Sequence, residues 1–310
     1  MGSNQEDTAE MPAMQEPASR PAAGASSLVE VDFAALSHSG KVRRNNEDHF
    51  MVVRFDRSMS TLLTNLPEGE VPQRYGETVY GMLVADGVGG AAGGEMASRT
   101  AIHALVDLVI ETPDWIMRLD EPLAREVLQR MERRFQRVRE VLVERAKADP
   151  SLRGMATTLT VACSTGPELL TAHVGDSRAY VFHDGRLEQL TRDQTVAQSL
   201  ADAGAIRPED VAKHPSRNIL TSALATRGAF VQVELRRSRL EDGDQLLLCS
   251  DGLTEMVAEE EIARVLAAPG PAADPCRTLV DLALEAGGKD NVTVVLGRYR
   301  IPEEAPAPVK

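Results

Sequence analysis

The sequence predicts an α+β fold of mainly antiparallel sheets with helices packed outside. Two long helical patterns follow one another directly, and several short apolar strands then run in succession with short turns between them. The strand–helix alternation of a doubly wound parallel sheet does not occur.

Residues 1–30 contain no aromatic residue and are rich in Ala, Pro, Ser, Gln and Glu. Such a segment buries too little apolar surface to offset its ordering entropy, which predicts a disordered tail. Gly2 follows Met1, but a myristoylation signal wants Ser or Thr where this chain has Glu6. The body of the protein is read as one domain over 31–300. Strands are predicted at Val79–Ala85, Thr158–Cys163, Leu169–Val174, Arg178–Phe182, Gln245–Cys249 and Val292–Leu296, each short, apolar and bounded by Gly or Asp. In 94–111, Met96, Ala97, Ala101, Ala104, Leu105, Leu108 and Val109 fall on one helical face. In 121–146, Leu123, Val127, Leu128, Met131, Phe135, Val138, Val141 and Leu142 do the same. Further helices are predicted at 193–204, 258–268 and 275–286. The polar stretch 56–76, with Pro67 and Pro72, reads as a long loop between two strands, and 192–230 as a mixed helix-and-loop excursion. Residues 301–310 read as a second tail.

The chain has 310 residues, with 34 Lys and Arg against 47 Asp and Glu, a formal charge of −13. This argues against a nucleic-acid binder that neutralises phosphates and against docking on an anionic membrane. No apolar run approaches the ~20 residues of a membrane span, and no secretory signal is present. Three cysteines, Cys163, Cys249 and Cys276, are too few and too scattered for a disulfide framework. These features point to a soluble, reduced, cytoplasmic protein.

Four aspartates carry the chemistry. Asp86 ends the run GMLVA, Asp251 ends LLLCS, Asp176 follows HVG, and Asp290 directly precedes NVTVVLG. A carboxylate beside a buried strand is costly unless it is paired or bound to a cation. Four of them at strand ends can converge on one edge of a sheet assembly, where their mutual repulsion calls for a cation or for raised pKa values. Oxygen-only ligands suit Mg²⁺ or Mn²⁺ rather than zinc. Asp-Gly is also a common turn dipeptide, and Asp184-Gly185 and Asp242-Gly243 read as plain turns. The match of Gly87-Val88-Gly89-Gly90-Ala91-Ala92 to a dinucleotide fingerprint is set aside. Asp86 would face the pyrophosphate, and the repeated βαβ pattern does not follow.

Longer contexts add weight. In order along the chain stand Gly40-Lys41-Val42-Arg43-Arg44-Asn45-Asn46-Glu47-Asp48, Val84-Ala85-Asp86-Gly87-Val88-Gly89-Gly90 and Gly154-Met155-Ala156-Thr157-Thr158-Leu159. Val174-Gly175-Asp176-Ser177-Arg178, Leu190-Thr191-Arg192-Asp193, His214-Pro215 with Arg217-Asn218, Leu247 to Leu253, and Lys289-Asp290-Asn291-Val292-Thr293 follow. Together they resemble the metal-dependent protein serine/threonine phosphatases, the type 2C family in its bacterial form, over about residues 31–300.

The resemblance implies two stacked antiparallel sheets flanked by helices, a four-layer α-β-β-α sandwich. It also implies a centre of two, possibly three, Mn²⁺ or Mg²⁺ ions. Asp86 would bridge two metals, the Gly87 carbonyl would bind one, and Asp251 and Asp290 would hold the other. Glu47 and Asp48 match the family's acidic pair, which meets a metal directly or through water. Arg43 matches the arginine that grips the substrate phosphate. Asp176 with Asp251 matches a third-metal site, which Asn218 of the flap, 192–230, can approach. The implied chemistry is attack of a metal-activated hydroxide on phosphoserine or phosphothreonine of proteins, opposing a Ser/Thr kinase, by a monomer. Catalysis would then need no cysteine, and Cys249 reads as core. Thr157 and Thr158 read as strand packing residues, and His173 and His183 as structural or exposed.

The sequence departs from the family pattern at Ala91 and Val88, where relatives carry His, and at Ala156 and Ser222. Two other readings stand beside the enzyme: a non-catalytic phosphoprotein-binding module of the same fold, and a hydrolase of small phosphate compounds.

Overall fold

The computed structural model describes residues 22–23, 28–67, 69–88, 92–112, 121–227 and 231–302. The first strands are β1 (Glu30–His38), β2 (Asp48–Ser60) and β3 (Arg74–Val88), followed by helices α1 (Ala92–Glu111) and α2 (Glu121–Ala148). Next come β4 (Ala156–Thr157), β5 (Leu159–Thr165), β6 (Glu168–Val174), β7 (Arg178–His183) and β8 (Arg186–Gln189). The short helix α3 (Val196–Asp202) precedes β9 (Leu224–Ala225), β10 (Glu234–Arg239) and β11 (Gln245–Cys249). The chain ends in α4 (Asp251–Thr254), α5 (Glu259–Leu266), α6 (Ala273–Glu285) and β12 (Val292–Arg300).

Two sheets form. One runs β9-β4-β3-β5-β6-β10, with β2 on the other side of β3; the other runs β1-β12-β11-β7-β8. All these pairings are antiparallel, as predicted. A two-residue strand, Ala22–Ala23, adds a parallel contact to Tyr75–Gly76.

Alternation along the strands stacks the layers. Leu246 and Leu248 point into the sandwich with Met82, Val84, Ala162 and Val295. Their neighbours Leu247 and Cys249 point the other way, onto Leu279, Val280 and Ala283 of α6 and Ile262 of α5. Leu83, Val161 and Leu170 of the first sheet meet Ala101 and Leu105 of α1 and Phe135 and Val138 of α2. The result is the expected α-β-β-α sandwich.

Several expectations need correction. The stretch 56–76 is not one long loop: β2 extends to Ser60 and β3 begins at Arg74, paired residue by residue into a two-stranded ribbon. Its polar residues bond along and across the strands, Arg54 Nε to Asp56 Oδ2 (2.8 Å) and Thr78 Oγ1 to Asp56 Oδ1 (2.9 Å). The tail boundary also moves back, because Val29 is buried between the sheets. Residues 1–21, 24–27 and 303–310 of the predicted tails, Glu6 among them, and Ala91 lie outside the described residues. No helix among the described residues is long and apolar enough to cross a membrane.

Candidate metal centre

Strand β3 does not stop before Asp86. It continues to Val88 because Gly87 and Val88 pair with Thr157 and Ala156 of β4. Two threonines fix the Asp86 backbone: Thr157 Oγ1 donates to its carbonyl (2.8 Å), and its N–H donates to Thr158 Oγ1 (2.9 Å). Directly opposite in the β2–β3 register lies Asp48. Asp48 is buried, and its Oδ2 accepts from Ser250 Oγ and Thr293 Oγ1, both at 2.7 Å. Asp251 opens α4 rather than ending a strand.

Close backbone approaches draw these segments together. A Cβ on Gly87 would stand 2.3 Å from the Gly94 carbonyl carbon, and one on Gly94 would stand 2.0 Å from Glu47 Oε2. Only glycines let the start of α1 lie against the Glu47 loop. A Cβ on Gly252 would meet the Asn291 oxygen at 1.9 Å. Asn291 then ties the loop that carries Arg43. Its Nδ2 donates to the carbonyls of Ser39 (3.0 Å) and Asn45 (2.9 Å), and its Oδ1 accepts from Glu47 N (2.8 Å).

The outcome is a cleft of about 1010 Å³ at the end of the sandwich. Arg43, Glu47, Asp86, Gly87, Asp176, Asn218, Asp251 and Asp290 all line it, with Arg44 and Asn45. Asp48 lies behind the wall, in reach of Asp86. Thus the structure brings together every residue that the sequence pointed to. Arg43 Nη2 donates to Asp290 Oδ2 at 2.6 Å.

The electrostatics is that of crowded carboxylates. Burial, then the charges of Asp48, Asp251, Asp176 and Asp290, push the Asp86 carboxyl well above its ordinary range. Burial and Asp176 raise Asp251 likewise. Asp48 rises to about 6 through burial, against the pull of its two hydroxyl donors. Asp176 rises to about 7 through burial and Asp193, with Arg178 opposing. Asp48 Oδ1 and Asp251 Oδ1 are buried without a hydrogen-bond partner.

These orphaned oxygens and mutually repelling carboxylates fit a divalent cation, which would satisfy both at once. Among the described residues no three Asp, Glu, His or Cys side chains close on one ion by themselves. An ion here therefore draws on carbonyls and water as well, a donor set that hard cations accept.

Sequence reasoning missed the supporting cast. Thr157 and Thr158, read as packing residues, grip Asp86. Gly94 and Asn291 carried no motif signal of their own role. His173 is structural, as predicted: it is buried, with Nε2 3.0 Å from the Gly175 carbonyl and Nδ1 2.9 Å from Thr160 Oγ1. His183 is half-exposed and paired with Asp244 at 2.5 Å. Cys249 is buried core.

Known proteins resemble this chain in sequence and fold. The family model described as Protein phosphatase 2C matches residues 73–283. The serine/threonine protein phosphatase PstP of Mycobacterium tuberculosis is 35% identical over 270 residues, 85% of this chain; the match spans 44% of that protein's length. A serine/threonine phosphatase of Listeria welshimeri is 36% identical over 215 residues, covering 69% of this chain and 82% of its own. The crystal structure of the PstP catalytic domain in complex with two manganese ions superposes with a TM-score of 0.67 at 32% identity, covering 88% of this chain and 99% of that one. By its match to that family model and its identity to these relatives, this chain belongs to the protein phosphatase 2C family.

Proposed function

We propose that the chain is a Mn²⁺- or Mg²⁺-dependent phosphatase of phosphoserine and phosphothreonine in proteins. The observation that carries this reading is the meeting of Asp86, Asp176, Asp251 and Asp290 in one cleft with Arg43 at its side. Asp86, the Gly87 carbonyl, Asp251 and Asp290 would hold two cations, with Glu47 and Asp48 in support. Asp176, Asp251 and Asn218 would hold a third. When bound, such cations lower the pKa of water towards neutrality and neutralise phosphate charge.

The chain's own groups do the rest. Arg43 offers a planar fork that bonds two phosphate oxygens and stays charged. Arg44 adds a second cation to the same wall. Among the described residues lining the cleft there is no imidazole, thiol or phenol. Val88 and Ile219, 40% and 54% exposed, form an apolar rim. That rim suits a polypeptide better than a small phosphate ester. We further propose a monomer that acts in the cytoplasm on the products of a Ser/Thr protein kinase.

Hydrolysis of a phosphothreonine peptide with Mn²⁺, with Mg²⁺ and with EDTA tests the reading. Activity should need the metal and vanish in Asp86→Asn. A folded protein inactive with every metal would instead support the binding module, and preference for small phosphate esters would support the third reading.

A further inference from the structure

Between residues 192 and 227 the flap rises beside the metal cleft. Its base is tied to the loop before Asp176: Gln194 N donates to the Gly175 carbonyl (2.7 Å), and Gly175 N donates to Gln194 Oε1 (3.0 Å). Its last corner returns to that base, with Val196 N donating to Ile219 O (2.8 Å) and Thr221 N to Gln194 O (2.7 Å). Its far end is anchored by β9, whose Leu224 and Ala225 pair with Thr157 and Ala156 of β4. A cavity of about 420 Å³ separates Gln198, Pro208 and Val211 of the flap from Arg178, Thr254 and Glu259.

One side chain spans this gap at the cleft end. Glu255 follows Asp251 by one helical turn, its N–H bonded to the Asp251 carbonyl at 2.8 Å. Its carboxylate accepts from Asn218 Nδ2 and lies 3.7 Å from Arg217 Nη2. The corner that it holds, Asn218-Ile219-Leu220, is itself a wall of the metal cleft. The holding group therefore caps the short helix α4 that Asp251 opens.

We propose that Glu255 is a positioning residue that latches the 217–218 corner onto the Asp251 helix. By doing so it sets how well the cleft takes a polypeptide phosphoester relative to a small one. The substrate half of this inference rests on the phosphatase reading. A small aryl phosphate needs only the metal floor and Arg43. A polypeptide also lies along the Ile219 wall, and an unlatched wall, backed by a cavity, gives way under it.

Tryptic cleavage after Lys213, an exposed flap residue, reads the latch without any catalysis. Glu255→Ala should speed that cleavage roughly fivefold to tenfold, the worth of one hydrogen bond. The KM for a phosphothreonine peptide should rise by a similar factor, while kcat/KM for p-nitrophenyl phosphate stays within about twofold. Glu255→Gln, which keeps an acceptor for Asn218, should resemble the parent in both assays. Asn218→Ala should speed cleavage as Glu255→Ala does, and the double variant should add nothing further. This arm also serves if Glu255→Ala folds poorly. Parental cleavage rates in Glu255→Ala and Asn218→Ala would overturn the latch. Equal behaviour of the Gln and Ala variants would overturn it too, since the charge near Asp251 would then be the cause. A parent protein that hydrolyses neither substrate would sink the phosphatase reading and the substrate half together, leaving proteolysis to decide the latch.

Discussion

Asp48 and Asp86 face each other across two strands, an arrangement that costs folding free energy when no cation compensates it. Removing one charge should therefore stabilise the metal-free fold. Asp86→Asn is predicted to raise the metal-free Tm by roughly 2–4 °C, about 1 kcal/mol in a domain of this size. Added Mn²⁺ should raise the parent's Tm and leave the variant's nearly unchanged, which a thermal scan with and without metal decides. His173 gives a second handle. Its burial lowers the imidazole from the ordinary 6.5 to about 4. The folded state resists protonation, so its stability is complete above 6.5 and falls as pH drops towards 4. Between pH 7 and 5 the parent should lose about 2 kcal/mol from this group, a loss that His173→Gln should escape in urea titrations at the two pH values. The four aspartates were legible because a carboxylate beside an apolar run is conspicuous in any sequence. Asn291 was not, since its three partners at 39, 45 and 47 lie far from it along the chain.

Helix α1 shows how an element places a site without touching the chemistry. Its first turn lies against Glu47 and Gly87 only because position 94 has no side chain. Gly94→Ala should leave the protein folded, since Ala favours a helix by up to about 1 kcal/mol over Gly. The new Cβ must displace the Glu47 carboxylate and press on the Gly87 carbonyl oxygen, 2.8 Å away, and Mn²⁺ affinity measured by calorimetry should fall about tenfold, on the scale of other ligand-orienting contacts. An unchanged affinity would show that neither the Glu47 carboxylate nor the placement of the Gly87 carbonyl matters at the ion. Among the elements, α1 and α2 were readable from their apolar periodicity. Strands β1, β2 and β10 escaped prediction because their exposed faces carry charge. In β10, Arg237 pairs with Glu168 of the adjacent β6 at 2.8 Å, so its polarity is cross-strand pairing, not a loop signal.

At the scale of the molecule, the fold class followed from the order of helical and strand patterns, and the structure keeps it. The stacking of the two sheets depends on long-range contacts that periodicity does not encode. Leu248, fully buried between the sheets, tests that core. Leu248→Ala should cost about 2–5 kcal/mol, read as a lower urea midpoint at constant slope. Among the described residues strand β1 pairs only with β12, so residues 30–38 wait for residues 292–300. On the ribosome, at about 5–20 residues per second, β1 stays unpartnered for roughly 13–52 seconds until β12 is made. Asp290 immediately precedes that strand. The cleft that Asp86 and Asp251 share therefore gains its fourth aspartate only when this strand follows, and a nascent chain that stops short of it holds an incomplete site.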